Sequence, residues 1–154
     1  MKQNKTIIVV GAGHAGVEAA KIASKLGCKV SLITMDKKSI GRMSCNPAIG
    51  GVAKGQIVRE IDVLGGLMAK TTDVSGLQFK ILNKSKGRSV WSPRAQVDKR
   101  IYEQTISKAV LSDKNITIIE GEATSLIVKN NSVCGVILRN EEKVLSSSVV
   151  ITCG

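Results

Sequence analysis

Apolar residues fall along this chain in two rhythms. Residues 5–10 (KTIIVV) form a short β-branched run without a polar break, the pattern of a buried strand. An alanine-rich stretch at 17–26 has helical character and stops at Gly27, a residue suited to the end of a helix. Residues 29–34 (KVSLIT) predict a second strand. Further on, Ile57, Val58, Ile61 and Leu64 share one face of a helix predicted over 54–64, which ends at Gly65-Gly66. Short strands are predicted at 78–82 and 89–91, flanking a basic turn at 83–88. A long helix is predicted over 95–111, its face drifting through Val97, Ile101, Thr105 and Lys108. Segments 115–120, 123–128, 133–138 and 143–145, joined by asparagine-bearing turns, predict a returning strand and then a small antiparallel meander. A last apolar run at 148–153 (SVVITC) predicts one more buried strand.

The first elements therefore read strand, glycine turn, helix, strand. The turn is Gly11-Ala12-Gly13-His14-Ala15-Gly16, a GxGxxG sequence in the context that gives such a sequence meaning. The first glycine makes the tight turn, the second lets backbone approach a pyrophosphate, and the third lets the helix pack close to its strand. The helix N-terminus adds amide donors and a positive dipole. His14 is expected to position backbone at the helix start rather than to act as a base. The acid that usually meets a ribose at the end of the second strand is absent, and Thr34 stands in its place. Its hydroxyl can accept a ribose hydrogen bond without charge assistance. Asp36, two residues on, is the alternative. The turn does not choose between NAD and FAD; the meander favours FAD by analogy with other folds.

Residues 43–55 (MSCNPAIGGVAKG) are too glycine-rich and too broken to predict a helix or a strand. Pro47 disfavours helix at Asn46, while Gly50, Gly51 and Gly55 suit a close approach to something. Such a loop is expected to hold a ligand or a chemical step. It carries Cys45, with Lys54 close enough in sequence to favour a thiolate. Cys45 is thus a candidate nucleophile, the alternative being quiet packing against a cofactor. Cys28, Cys134 and Cys153 lie in or beside Val/Ile-rich segments and read as small buried apolar groups. Four widely spaced cysteines and one histidine give no basis for a zinc site or a disulfide framework, so no metal is expected.

Charge changes the picture more than size does. Against 12 Asp and Glu stand 23 Lys and Arg, a net charge of +11 in 154 residues. Lys80, Lys84, Lys86, Arg88, Arg94, Lys99 and Arg100 fall close together with only Asp98 among them. A block of that density favours polyanions, and Lys84, Lys86, Arg88 and Arg94 are the candidates for RNA phosphates or another anion. With only Phe79, Trp91 and Tyr102 as aromatics, contact to phosphates is expected rather than stacking of several bases. No apolar run reaches membrane-span length and nothing resembles a signal peptide, so a cytoplasmic protein without a membrane partner is expected. A final strand stopping on a glycine suggests a chain cut at another strand-to-loop turn.

The segments GAGHAGVEAA at 11–20, MSCNPAIGGVAKG at 43–55, REIDVLGG at 59–66, LNKSKG at 82–87 and RAQVDKRIY at 94–102 occur in one order. Together they resemble the N-terminal FAD-binding region of the MnmG (GidA) family, tRNA uridine 5-carboxymethylaminomethyl modification enzymes. The resemblance covers essentially the whole chain, with Arg88 standing where the family commonly has proline and Trp91 in a usually polar stretch. It implies an α/β class, a Rossmann-like FAD-binding (glutathione-reductase-type) three-layer fold with a small antiparallel meander, incomplete in this chain. Residues 1–154 would then be the N-terminal part of one FAD-binding domain, with no second domain in the chain. It further implies FAD as cofactor, NADH and methylenetetrahydrofolate as co-substrates, tRNA as substrate and the GTPase MnmE as partner. A homodimer forming a heterotetramer with MnmE is expected. The implied activity is modification of C5 of the wobble uridine. On this chain, Gly11 to Gly16 would cradle the FAD pyrophosphate, Ala123 would meet the adenine end, and Cys45 would lie near the flavin. The alternatives are a folate-dependent tRNA uridine methyltransferase, another FAD/NAD oxidoreductase, or a non-catalytic FAD-binding fragment.

Overall fold

A computed structural model of the chain describes residues 5–44 and 46–153. They fall into two compact units, one of residues 5–42 with 107–153 and one within residues 43–106.

The first unit is built on a four-stranded parallel sheet of order β10-β1-β2-β6. Its strands are β1 (Thr6–Val10), β2 (Lys29–Thr34), β6 (Ile116–Glu120) and β10 (Ser148–Ile151). β1 pairs with β2 from Thr6 opposite Lys29 to Val10 opposite Ile33, and β2 continues the ladder onto β6. Helix α1 (His14–Lys25) packs against this sheet through buried Gly16, Val17, Ala20 and Ala23. It starts three residues before the predicted Val17, because Gly13 already serves as its N-cap. The meander is β7 (Ala123–Lys129), β8 (Ser132–Leu138) and β9 (Lys143–Leu145), paired antiparallel as the hydropathy pattern predicts. Ile8, Val10 and Ile33 of the sheet form one buried cluster with Val136 and Leu138 of the meander. The unit is thus three layers: helix, parallel sheet, antiparallel sheet.

An ion pair ties α1 to the turn before β6. Lys21 Nζ lies 2.6 Å from Asp113 Oδ2, and both side chains are largely buried, at 16% and 14% exposure. Ser24 Oγ donates to the same carboxylate at 2.8 Å and the Asn115 amide at 3.0 Å. These contacts, the Lys21 hydrogen bond foremost, lower the Asp113 pKa from 3.8 to about 2.

The second unit holds the antiparallel sheet β3-β5-β4, with β3 (Ala48–Gly50), β4 (Gly76–Leu82) and β5 (Ser92–Val97). Helices α2 (Lys54–Val63) and α3 (Met68–Ser75) pack on each other and on β5. Several expectations need correction here. A strand, β3, forms inside the stretch that looked too broken for one. Its Gly50 has φ +111°, and a Cβ there would overlap the Pro93 carbonyl. Secondly, the helix predicted over 95–111 is in fact strand β5 followed by α4 (Lys99–Leu111). Asp98 divides them: its carboxylate accepts from the amides of Arg100 at 2.8 Å and Ile101 at 3.0 Å, an N-cap. The buried residues of α4 are Tyr102, Ile106 and Val110, whereas Ile101 is 44% exposed, so the face differs from the predicted one. The predicted strand at 89–91 is a 3-10 turn at Arg88–Val90. Thirdly, α3 was not predicted. Its buried stripe is Met68, Thr71, Thr72 and Ser75, mostly hydroxyl residues. Thr72 donates to the Met68 carbonyl and Ser75 to the Thr71 carbonyl, each at 2.7 Å, which makes burial tolerable without an apolar pattern. Among the cysteines, Cys28 and Cys134 are half-buried and Cys153 is exposed, so the expectation of buried thiols fails for Cys153.

Candidate functional site

Because all four strands of the first unit run parallel, their carboxyl ends form one edge, the position where open α/β sheets bind ligands. Backbone hydrogen bonds knit that edge together. The Gly11 amide donates to the Ile33 carbonyl at 2.9 Å, the Gly121 amide to Thr34 at 2.8 Å, and the Thr152 amide to Val10 at 2.8 Å.

The three glycines of the turn have different surroundings. Gly11 has φ +100°, and a Cβ would come within 2.9 Å of the Thr152 carbonyl oxygen. A Cβ on Gly16 would overlap the Gly11 carbonyl and reach 2.8 Å from Thr152 Oγ1. Both glycines are required by packing. Around Gly13, by contrast, a Cβ would meet nothing within 4 Å. The chain needs no space there for itself. Gly13 is the N-cap of α1, it has no side chain with which to cap the helix, and no acid lies in its first turn. The first intrahelical bond runs from the Val17 amide to the Gly13 carbonyl, so the Ala15 and Gly16 amides belong to the first turn that opens on the helix mouth. A phosphate group fits such a mouth by charge, donors and room.

Ala12, His14 and Ala15 lie in this turn, and the Ala12 carbonyl accepts from the Gly41 amide at 2.8 Å. Thr34 is buried at the end of β2, its hydroxyl donating to the Asp36 carbonyl at 3.1 Å. The oxygen can still accept, so a ribose hydroxyl would have to be the donor. Asp36 is exposed and its carboxylate accepts from the Lys38 amide at 2.8 Å. Ala123 opens β7, packed on the Ile8, Val10 and Ile33 cluster. Two residues at this edge were missed from sequence. Glu120 lies opposite Thr34 in the β2–β6 ladder, where its carboxylate accepts from the Lys37 amide at 3.2 Å. Thr152 donates its hydroxyl to the Val10 carbonyl at 2.8 Å, with the Gly11 carbonyl at 3.1 Å, and so supports the turn from behind. Neither could have been found without knowing which strands pair.

The second unit contains a cavity of about 440 Å³. Ile49, Val58, Phe79, Ile81, Pro93 and Ala95 supply apolar wall. Of the four basic candidates, Lys84 and Arg94 line this cavity; Lys86 and Arg88 do not. Arg88 instead lies over the Trp91 ring, 5.8 Å from its centroid. Arg59 of α2 and Lys80 of β4 join Lys84 and Arg94 on the lining; Lys80 belongs to the basic block read from sequence without being one of its four candidates, and Arg59 was not singled out because it lies outside that block. The glycines of the central loop are largely committed to this unit. Gly50 and Gly55 both abut Pro93, and the Gly51 amide donates to the Pro93 carbonyl at 2.9 Å. Close approach is real, but for these two glycines the partner is strand β5. Ala53, at φ 66° and ψ −57°, centres a tight turn closed by the Lys54 amide on the Val52 carbonyl at 2.9 Å. Cys45 lies outside the described residues.

A parallel sheet whose first crossover opens on a ligand-ready glycine turn, with a meander on its second face, is a dinucleotide-binding module of the Rossmann-like, glutathione-reductase type. Comparison with known proteins narrows this. The family model for glucose inhibited division protein A (GidA) matches residues 6–154. A tRNA uridine 5-carboxymethylaminomethyl modification enzyme MnmG of Endomicrobium trichonymphae is 51% identical over 154 residues, all of this chain and 26% of that protein. The enzyme of the same name from Buchnera aphidicola subsp. Cinara cedri is 51% identical over 148 residues, 96% of this chain and 23% of that protein. The solved structure of Aquifex aeolicus GidA superposes with a TM-score of 0.90 at 46% identity, covering 99% of this chain and 25% of that one. The chain belongs to the GidA family. It spans about a quarter of the length of the relatives it matches.

Proposed function

We propose that this chain is the nucleotide-cradling part of a flavin-dependent tRNA-modifying enzyme that acts on C5 of the wobble uridine. The observation that carries the reading is the unfilled space at Gly13, at the N-terminus of α1, in a chain whose relatives are named for tRNA uridine modification. Gly11 and Gly16 keep the turn tight, the first-turn amides of α1 would hold the FAD pyrophosphate, and Thr34 and Ala123 would border the adenosine end. Bound FAD supplies hydride and electron transfer. NADH would reduce it and methylenetetrahydrofolate would supply the one-carbon unit, with MnmE as the GTPase partner of a homodimeric enzyme in the cytoplasm. Among the described residues no helix is long and apolar enough to cross a membrane.

Two roles follow for other candidates. The surface basic block, Lys86 and Arg88 with Lys84 and Arg94, would meet tRNA phosphates. Cys45 would serve as the nucleophile that activates uridine C5. The primary test is retention of FAD by the purified chain, read by flavin absorbance and by quenching of flavin fluorescence. Absence of binding at concentrations well above those typical of flavoproteins rejects the cofactor assignment. For Cys45, unchanged tRNA modification by the Cys45→Ser form of the complete enzyme rejects the nucleophile role.

A further inference from the structure

We infer that Glu120 holds the ribose diol of the bound adenosine: the carboxylate that β2 lacks is supplied by the neighbouring strand β6. The inference deepens the nucleotide reading of the glycine turn and rests on it. Three observations carry it.

The first is position. Glu120 is the register partner of Thr34, the residue standing where the ribose acid usually lies. One step earlier, Ile33 and Ile119 belong to the apolar packing beneath the meander. By alternation Thr34 and Glu120 turn to the opposite face, the one that carries α1. Adjacent strands lie about 4.8 Å apart, a gap that the two methylenes of a glutamate span. The carboxylate does reach across: Oε1 accepts from the Lys37 amide at 3.2 Å, in the 3-10 turn Lys37–Ser39 that follows β2. The second is that both rivals are engaged. Buried Thr34 Oγ1 donates to the Asp36 carbonyl at 3.1 Å and accepts from the Asp36 amide at 3.4 Å. One lone pair remains there, without charge. Asp36 Oδ1 accepts from the Lys38 amide at 2.8 Å, capping the 3-10 turn. The third is what Glu120 has left over. Its Oε2 lies 3.7 Å from Lys37 Nζ, and the two side chains are 48% and 51% exposed. So loose a surface pair contributes little, and a ribose hydroxyl can take its place. A hydrogen bond to a carboxylate is roughly twice as strong as one to a neutral oxygen, which favours Glu120 over Thr34.

The frame is held in place. The Gly121 amide donates to the Thr34 carbonyl at 2.8 Å, which fixes the end of β6 against the end of β2. A glutamine at position 120 keeps an acceptor for the Lys37 amide. Glu120→Gln therefore removes the charge and leaves the clamp on the turn intact.

ADP carries the adenosine and a diphosphate without the flavin, so it probes this end of the site alone. ADP, 2′-deoxy-ADP and 3′-deoxy-ADP are titrated by calorimetry into the purified, flavin-free protein. In the parent, loss of at least one ribose hydroxyl should weaken binding roughly tenfold, the worth of one charged hydrogen bond. In Glu120→Gln, ADP itself should weaken roughly tenfold and that hydroxyl should no longer matter, while the thermal melt matches the parent. Equal weakening of all three nucleotides would make Glu120 a clamp on the turn and overturns the proposal. So does a hydroxyl effect that persists in Glu120→Gln, or one that vanishes in Asp36→Asn instead. Lys37→Gln, a change at an exposed position, frees Oε2 and should keep or enlarge the hydroxyl effect. Its disappearance there assigns the diol to Lys37 and likewise overturns the proposal. Failure of ADP to bind the parent in the millimolar range rejects the nucleotide cradle and this proposal with it. ADP binding without a hydroxyl effect that depends on Glu120 rejects this proposal alone.

Discussion

Adding one methyl group at Gly13 separates what the fold needs from what a ligand needs. At φ −70° and ψ −172°, any L-residue is accommodated, and the added Cβ meets nothing within 4 Å. Alanine is a poorer N-cap than glycine, at a cost of roughly 0.5 to 1 kcal/mol, but it restricts the unfolded chain by about 0.4 to 1 kcal/mol in compensation. The Gly13→Ala melting temperature should therefore stay within about 4 °C of the parent for a chain of this size. The methyl occupies the space through which a phosphate reaches the amides of α1. Loss of one charged hydrogen bond costs roughly 1.5 to 3 kcal/mol, or about ten- to a hundredfold in affinity. FAD affinity, read by flavin fluorescence quenching, should fall by that factor while the melt followed by circular dichroism is nearly unchanged. Gly16→Ala is the contrast. Its Cβ would overlap the Gly11 carbonyl, so the helix must retreat, and overpacking of this kind costs roughly 1 to 3 kcal/mol or more. That variant should lose thermal stability and flavin together. A Gly13→Ala protein that binds FAD like the parent refutes the argument that the space is reserved for a phosphate.

Acid should loosen the first unit through Asp113. Its folded-state pKa of about 2 lies below the ordinary 3.8, so the contribution is complete above about pH 4 and lost as pH falls through about 2. The difference corresponds to roughly 2 kcal/mol, and Asp113→Asn should lower the melting temperature at neutral pH by several degrees while flattening the melting profile between pH 4 and 2. Ala53→Gly should raise stability, by up to about 1 kcal/mol, because it relieves a φ of 66° that alanine tolerates poorly. Chemical denaturation at constant m-value measures it, and a lower midpoint contradicts the claim of strain.

How far the residues alone revealed this molecule depended on the range of the forces involved. The glycine turn was visible because its determinants are adjacent: a β-branched run, three glycines and an alanine-rich helix within 20 residues. The meander showed itself through two-residue alternation and asparagine turns. Residues 95–97 were read as helix because Ala95 and Val97 fit a helical face as well as an alternating one. Only the Asp98 cap and pairing on both sides decide for strand. Helix α3 was invisible because hydroxyls bonded to carbonyls one turn back replace the apolar stripe. In the central loop, glycines do mark a close approach, but local sequence cannot say whether the approaching group is a cofactor or Pro93. The cavity was half seen. Lys80, Lys84 and Arg94 belong to a dense basic block, while Arg59 joins them on the lining only through the packing of α2 beside β5.

Thr152 gives the glycine turn a place in time. Its hydroxyl meets the Val10 carbonyl across 142 residues of sequence, and β10, which delivers it, pairs with β1. A ribosome adding about 5 to 20 residues per second leaves roughly 7 to 28 s between the two ends of that contact. Throughout that interval β1 lacks one neighbour and the turn lacks its support. A nucleotide arriving early would find helix α1 but not a settled cradle. Cofactor loading should therefore follow emergence of β10, and nascent chains halted before residue 148 should not retain FAD.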